Sequence, residues 1–126
     1  MFAPMMAAAS GGSNVKSGTT APTTTASEEI TIDTGLSQIN RFVWFAINIV
    51  NGNPYGMHTV NYNRDINADK FSYAACGRFA GEQNVAYKTS ANAYATTIKN
   101  ISGGTVTLLT SNNVSYKVET GYWYAE

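Results

Sequence analysis

The run Ile39-Asn-Arg-Phe-Val-Trp-Phe-Ala-Ile-Asn-Ile-Val50 constrains the fold more than any other part of the chain. Read with a period of two, Ile39, Val43, Phe45, Ile47 and Ile49 share one face, with Arg41 the exception. Phe42, Trp44, Ala46 and Val50 share the other. Phe42, Phe45, Ala46 and Ile49 also have helical spacing, but the β-branched and aromatic content argues for a strand. A strand apolar on both faces is a central one, covered on one side by an opposing sheet and on the other by a neighbour. The turn Asn51-Gly52-Asn53-Pro54 closes it. Asn-Gly tolerates positive φ, so Met57–Asn63 returns as an antiparallel partner.

The same period recurs along the chain. Glu29–Asp33 alternates polar and apolar before the turn Thr34-Gly35, and Lys70–Cys76 reads as a further strand. Asp65–Ala68 and Arg78–Glu82 read as loops, with a short edge strand at Val85–Lys88. Three strands finish the chain: Tyr94–Ile101, Thr105–Thr110 and Ser115–Ala125. Ser102-Gly103-Gly104 and Ser111-Asn112-Asn113 form the turns between them, and a bulge at Gly121 breaks the last. About eight short strands without a convincing helix predict an all-β fold, an antiparallel β-sandwich of jelly-roll type. Its core is expected to gather Ile30, Ile32, Val43, Phe45, Ile47, Ile98, Val106, Leu108 and Val118. The sandwich should occupy residues 28–126. Residues 13–27, rich in Gly, Ser and Thr, are either an edge strand interrupted by Pro22 or a linker.

Residues 1–12, Met-Phe-Ala-Pro-Met-Met-Ala-Ala-Ala-Ser-Gly-Gly, form an apolar arm ahead of that body. With no Lys or Arg before Lys16, the arm lacks the basic start of a secretory signal, and it is too short to span a bilayer. Apolar side chains on a chain end call for a cover. Met1, Phe2, Pro4, Met5 and Met6 are therefore the expected partner-docking residues: thioethers suit irregular grooves, and Pro4 lowers the ordering cost.

Charged residues make up 13% of the chain, about half the usual share, and the formal net charge is zero. Scattered Lys and Arg exclude a phosphate-binding surface, so no nucleic-acid partner is expected. Near-zero net charge favours association instead. One cysteine, Cys76, excludes an internal disulfide framework and reads as a buried small residue. The single histidine, His58, reads as a strand or loop residue. Asp65, Asp69 and Glu82 read as solvated loop acids without the spacing of a calcium loop. No triad, metal cluster or cofactor motif follows, and no enzyme is expected. Tyr55, Tyr122, Trp123 and Tyr124 are the aromatics expected to contact either a glycan or a neighbouring subunit, the subunit being favoured.

The order Val15-Lys-Ser-Gly-Thr19, Glu29-Ile-Thr-Ile-Asp-Thr-Gly-Leu36, Phe42-Val-Trp-Phe45 and Gly121-Tyr-Trp-Tyr-Ala125 resembles small phage and prophage virion proteins. It is also similar to the H-type-lectin-like sandwich, which implies six or more antiparallel strands and often a trimer. The resemblance implies a non-enzymatic structural protein located in the virion, of capsid-decoration or tail-fibre type, docked on other virion proteins through its arm and homo-oligomeric. The alternative is a lectin-like module for host surface glycans. Membrane insertion is not expected.

Overall fold

The computed structural model describes residues 15–67, 73–78, 81–86 and 95–126, with 66–67, 73–78 and 81–86 described by backbone alone. The architecture is all-β. In chain order the elements are β1 (Lys16–Thr20), β2 (Glu29–Asp33), β3 (Arg41–Val50), β4 (Asn53–Asn63), α1 (Arg64–Asn67), β5 (Tyr73–Arg78), β6 (Gly81–Ala86), β7 (Thr97–Ser102), β8 (Thr105–Leu109), β9 (Tyr116–Val118) and β10 (Gly121–Ala125). All pairings are antiparallel. A large sheet runs β1-β10-β3-β4-β5-β6 with β9 also against β3, and a small sheet runs β2-β8-β7. The two close over one core, as a β-sandwich requires.

The central run is the strand β3, and its hairpin to β4 turns at Asn51 (φ 51°) and Gly52 (φ 84°). Two consecutive positive φ angles are what a two-residue turn needs to match the twist of its strands. The structure has more strands than the sequence suggests, for local reasons. Arg78–Glu82, expected as a loop, instead contributes to the antiparallel pair β5–β6, with Arg78 opposite Gly81 and Gly77 opposite Glu82. The expected loop at Asp65–Ala68 instead contains the helical turn α1, capped by Asn63, whose Oδ1 accepts the Asp65 N–H at 2.9 Å. The first expected edge piece is resolved as β1, which ends before Pro22.

The last expected strand divides where the sequence places its bulge. Asn48 pairs with Val118 and Phe45 with Tyr122, so the three residues Glu119–Gly121 oppose only Ala46 and Ile47. Gly121 is required there. A Cβ would run into the Trp44 indole and the Thr20 hydroxyl, which are joined by a 3.0 Å hydrogen bond from Trp44 Nε1 to Thr20 Oγ1.

The core differs from the expected one in a single systematic way. Ile32, Ile98, Val106, Leu108 and Val118 are buried as expected, and Ile30 packs against them. On β3, however, the buried side chains are Phe42, Trp44, Ala46 and Asn48, while Val43 is half-buried and Phe45 and Ile47 are exposed. The pairing with β4 shows how this orientation is matched across the hairpin: a bulge on β4, where Tyr55 and Gly56 (φ 87°) oppose Asn48 alone, shifts the register while β3 itself keeps strict alternation through Asn48. The turn pairs Val50 with Asn53 and Ile49 with Pro54, a register that would carry Phe45 to His58 and Val43 to Val60. Beyond the irregularity the pairing has slipped by one, so Trp44 faces Val60 and Phe42 faces Tyr62. A slip of one residue moves every side chain to the opposite face.

Candidate functional site

Inverting β3 turns its second apolar face outward and creates the main surface feature. Phe45, Ile47, Met57 and Tyr122 are 40%, 43%, 40% and 51% exposed, which is high for side chains of this size. They come together through strand register. Tyr122 lies beside Phe45, Phe45 beside Thr59, and Ile47 beside Met57. The Phe45 and Tyr122 rings are 5.7 Å apart between centroids, within the range of favourable aromatic pairs. Val43 and Tyr124, paired one step along, are half-buried and extend the patch.

The patch is uncharged between its ends. Along β3 the outward positions run from Arg41 to Ile49, the latter paired with Lys117. Between those two cations the described outward side chains of β10, β3 and β4 carry no charge. Arg41 is itself paired with Glu126 at 3.7 Å. The Tyr124 hydroxyl has its pKa raised, first by burial and then by the charge of Glu126, so it stays neutral.

Strand alternation separates the four aromatics that the sequence grouped. Tyr122 and Tyr124 belong to the outward patch. Trp123 points to the inner side, next to Phe42 with ring centroids 6.5 Å apart, and its indole lies against Gly18 on β1. A Cβ on Gly18 would sit 2.8 Å from Trp123 Nε1, which is why that edge position is a glycine. Trp123 lines a cleft of about 460 Å³ between the two sheet edges, together with Gly18, Thr20, Ile30 and Ile32. Glu28 borders it, its carboxyl held below the usual range by hydrogen bonds from the Thr24 backbone and the Thr25 hydroxyl. Tyr55 joins neither group: it is half-buried near the start of β4, where its carbonyl accepts from Asn48 Nδ2 at 3.3 Å. Met1, Phe2, Pro4, Met5 and Met6 lie outside the described residues.

His58 lies in the interior, fully buried on β4, with Nδ1 2.9 Å from the Thr96 hydroxyl and its ring 6.3 Å from that of Tyr116. Burial pushes its pKa down to about 4, so it is neutral near pH 7. Asn48 Oδ1, His58 Nε2 and Thr97 Oγ1 are buried with no hydrogen-bond partner among the described residues. Cys76 lies on β5 opposite His58 and Glu82 on β6 opposite Gly77. Asp65 is exposed on α1, and Asp69 lies outside the described residues. Among the described residues no group of three or more His, Cys, Asp and Glu converges on a metal-sized site.

Phe45, Ile47 and Met57 are the residues that sequence reasoning missed. The signal that could have found them is β4: Met57, Thr59 and Asn61 alternate with the more apolar Val60 and Tyr62, so one β4 face is visibly polar. Assigning that face outward fixes β3 only if the slip of one residue is known. Comparison with family models, with curated proteins and with solved structures finds no match for this chain.

Proposed function

We propose that this chain is a non-enzymatic structural protein that works inside a larger assembly. The observation that carries this reading is the uncovered face of the large sheet, where Phe45, Ile47, Met57 and Tyr122 meet. The largest apolar patch on a protein surface is often functional, and interface cores are enriched in aromatics and Met. Zero net charge removes the long-range repulsion that would keep copies apart. The virion setting, as a capsid-decoration or tail component, comes from the resemblance of the Ile30–Leu36 and Gly121–Ala125 segments to small virion proteins. In that setting the apolar arm with Phe2, Met5 and Met6 supplies the attachment to other virion proteins, and the sandwich faces its own copies. The test is co-assembly with the remaining structural proteins of the particle. Polar substitution of Phe2, Met5 and Met6 together should prevent incorporation while leaving the β-sheet circular-dichroism signal intact. Incorporation at the native level would refute the docking role.

A second reading, glycan binding, is favoured by the Trp123 cleft, because an indole beside hydroxyl and carboxylate groups suits the apolar face and the hydroxyls of a sugar ring. Trp44 is fully buried, so a change in tryptophan emission during titration with neutral mono- and disaccharides would report on Trp123. Saturable quenching that disappears in Trp123→Phe supports this reading, and no response at millimolar sugar rejects it.

A further inference from the structure

We infer that the outer face of the large sheet is a self-interface, and that its occupant is the same face of a second copy, stacked sheet on sheet about a two-fold axis. The inference rests on the assembly reading above and names the surface and the partner.

Area supports it first. At about 3.3 Å per residue and about 4.8 Å between strands, β1, β3, β4, β9 and β10 present roughly 540 Å² of sheet face per copy. Two such faces remove roughly 1,100 Å² from water, above the roughly 1,000 Å² that a specific interface should clear. Chemistry supports it next. The centre of the face is apolar and aromatic, and its described side chains are uncharged from Val43 to Ile49. A partner complementary to that centre must itself be apolar and uncharged. A nucleic acid or an anionic lipid surface would call for cations at the centre, where the described side chains offer none. A glycan would call for several convergent hydrogen-bonding groups, and Thr59 and Asn61 are the polar side chains described along this part of β4. The face itself meets the requirement.

Charge at the ends is compatible with self-pairing. One end of β3 carries Arg41 with Glu126, and the other has Lys117 and Glu119 close together on and just after β9. Among the described side chains each end therefore holds a cation and an anion, so a twin meets opposite as well as like charge at either end. The chain has zero net charge, so two copies approach without net repulsion. Stacking two antiparallel sheets at about 10 Å repeats outside the subunit the packing that its core already uses. Each face is consumed by one twin, so the geometry closes as a dimer.

Sedimentation equilibrium of the full chain tests this, with circular dichroism checking that each variant is folded. The native chain should dimerise at micromolar concentration. Ile47→Asp should raise the dissociation constant at least 100-fold, because it places one carboxylate on each side of a dry contact. Thr59→Arg, at a position that is already polar, should do the same without removing an apolar side chain from the fold. The full chain with Phe2, Met5 and Met6 changed to Ser should dimerise like the native chain. The inference is overturned if Ile47→Asp and Thr59→Arg are folded and associate as tightly as the native protein, or if the native species is a trimer. Association lost only in the arm variant would overturn the self-interface and leave the assembly reading standing. A native chain that is monomeric to 200 µM and never enters a particle would overturn both.

Discussion

Lowering the pH from 7.5 to 4.5 should destabilise this protein through one residue, His58. The imidazole is fully buried and neutral, with its pKa lowered by burial from an ordinary 6.5 to about 4. In the unfolded chain it takes up a proton near pH 6.5, whereas the folded chain resists until about pH 4. Between those values the unfolded state binds more protons, so folding stability falls as pH falls. Above pH 7 the contribution is flat. At about 1.4 kcal/mol per pH unit the full window is worth about 3 kcal/mol, a substantial part of the stability of a domain this size. Urea unfolding at pH 7.5, 6.5, 5.5 and 4.5, read as midpoint times slope, measures it. The carboxyl of Glu28, whose pKa is lowered from 4.5, adds its own loss only at the acid end, so the interval from pH 7 to pH 5 isolates the histidine. His58→Gln should be less stable at pH 7.5, since it disturbs the pair with Thr96, yet should lose the slope between pH 7 and pH 5. Native stability that is constant over that interval would refute the burial of His58 as a neutral ring.

Three further outcomes follow from packing. Gly121→Ala places a methyl group against the Trp44–Thr20 pair and should cost about 1–3 kcal/mol in urea unfolding. Thr20→Val removes the acceptor of the buried Trp44 N–H and should cost about 1–3 kcal/mol, with a shift in Trp44 emission as a second readout. Gly52→Ala strains a backbone held at φ 84° and should lower the thermal midpoint without disturbing self-association, because Gly52 lies in the hairpin turn beyond the apolar patch.

The elements of the sandwich were legible because the sequence alternates and its turns carry Asn, Gly and Ser. Asn51-Gly52 marks the main hairpin, Gly103-Gly104 the β7–β8 turn, and Gly121 the bulge that divides β9 from β10. The orientation of β3 was not legible. Both of its faces are apolar, so alternation alone assigns neither to the core, and the turn register points to the wrong one. The irregularity between Ile47 and Ile49 leaves one signal, Gly56 at φ 87° on β4 just after Pro54, but a lone glycine marks a bulge without saying which face of β3 turns inward. What decides the matter is tertiary: the bulk of Trp44 is accommodated by Gly121 on the neighbouring strand and satisfied by Thr20 one strand further on. The separation of Trp123 from Tyr122 and Tyr124 was already implied by strand period. The cleft beside Trp123 was not, since it exists only where the β1 edge of one sheet faces the β2 edge of the other.

A pair of neighbouring substitutions on β3 tests most directly which face is inside. Phe45→Ser should unfold within about 1 kcal/mol of the native chain and should sediment as a monomer. Trp44→Ser, one residue away, should lose about 3–5 kcal/mol or fail to fold, as expected for emptying a large buried site. Trp44→Ser that is tolerated while Phe45→Ser unfolds the protein would contradict the slipped register, and with it the outward apolar face.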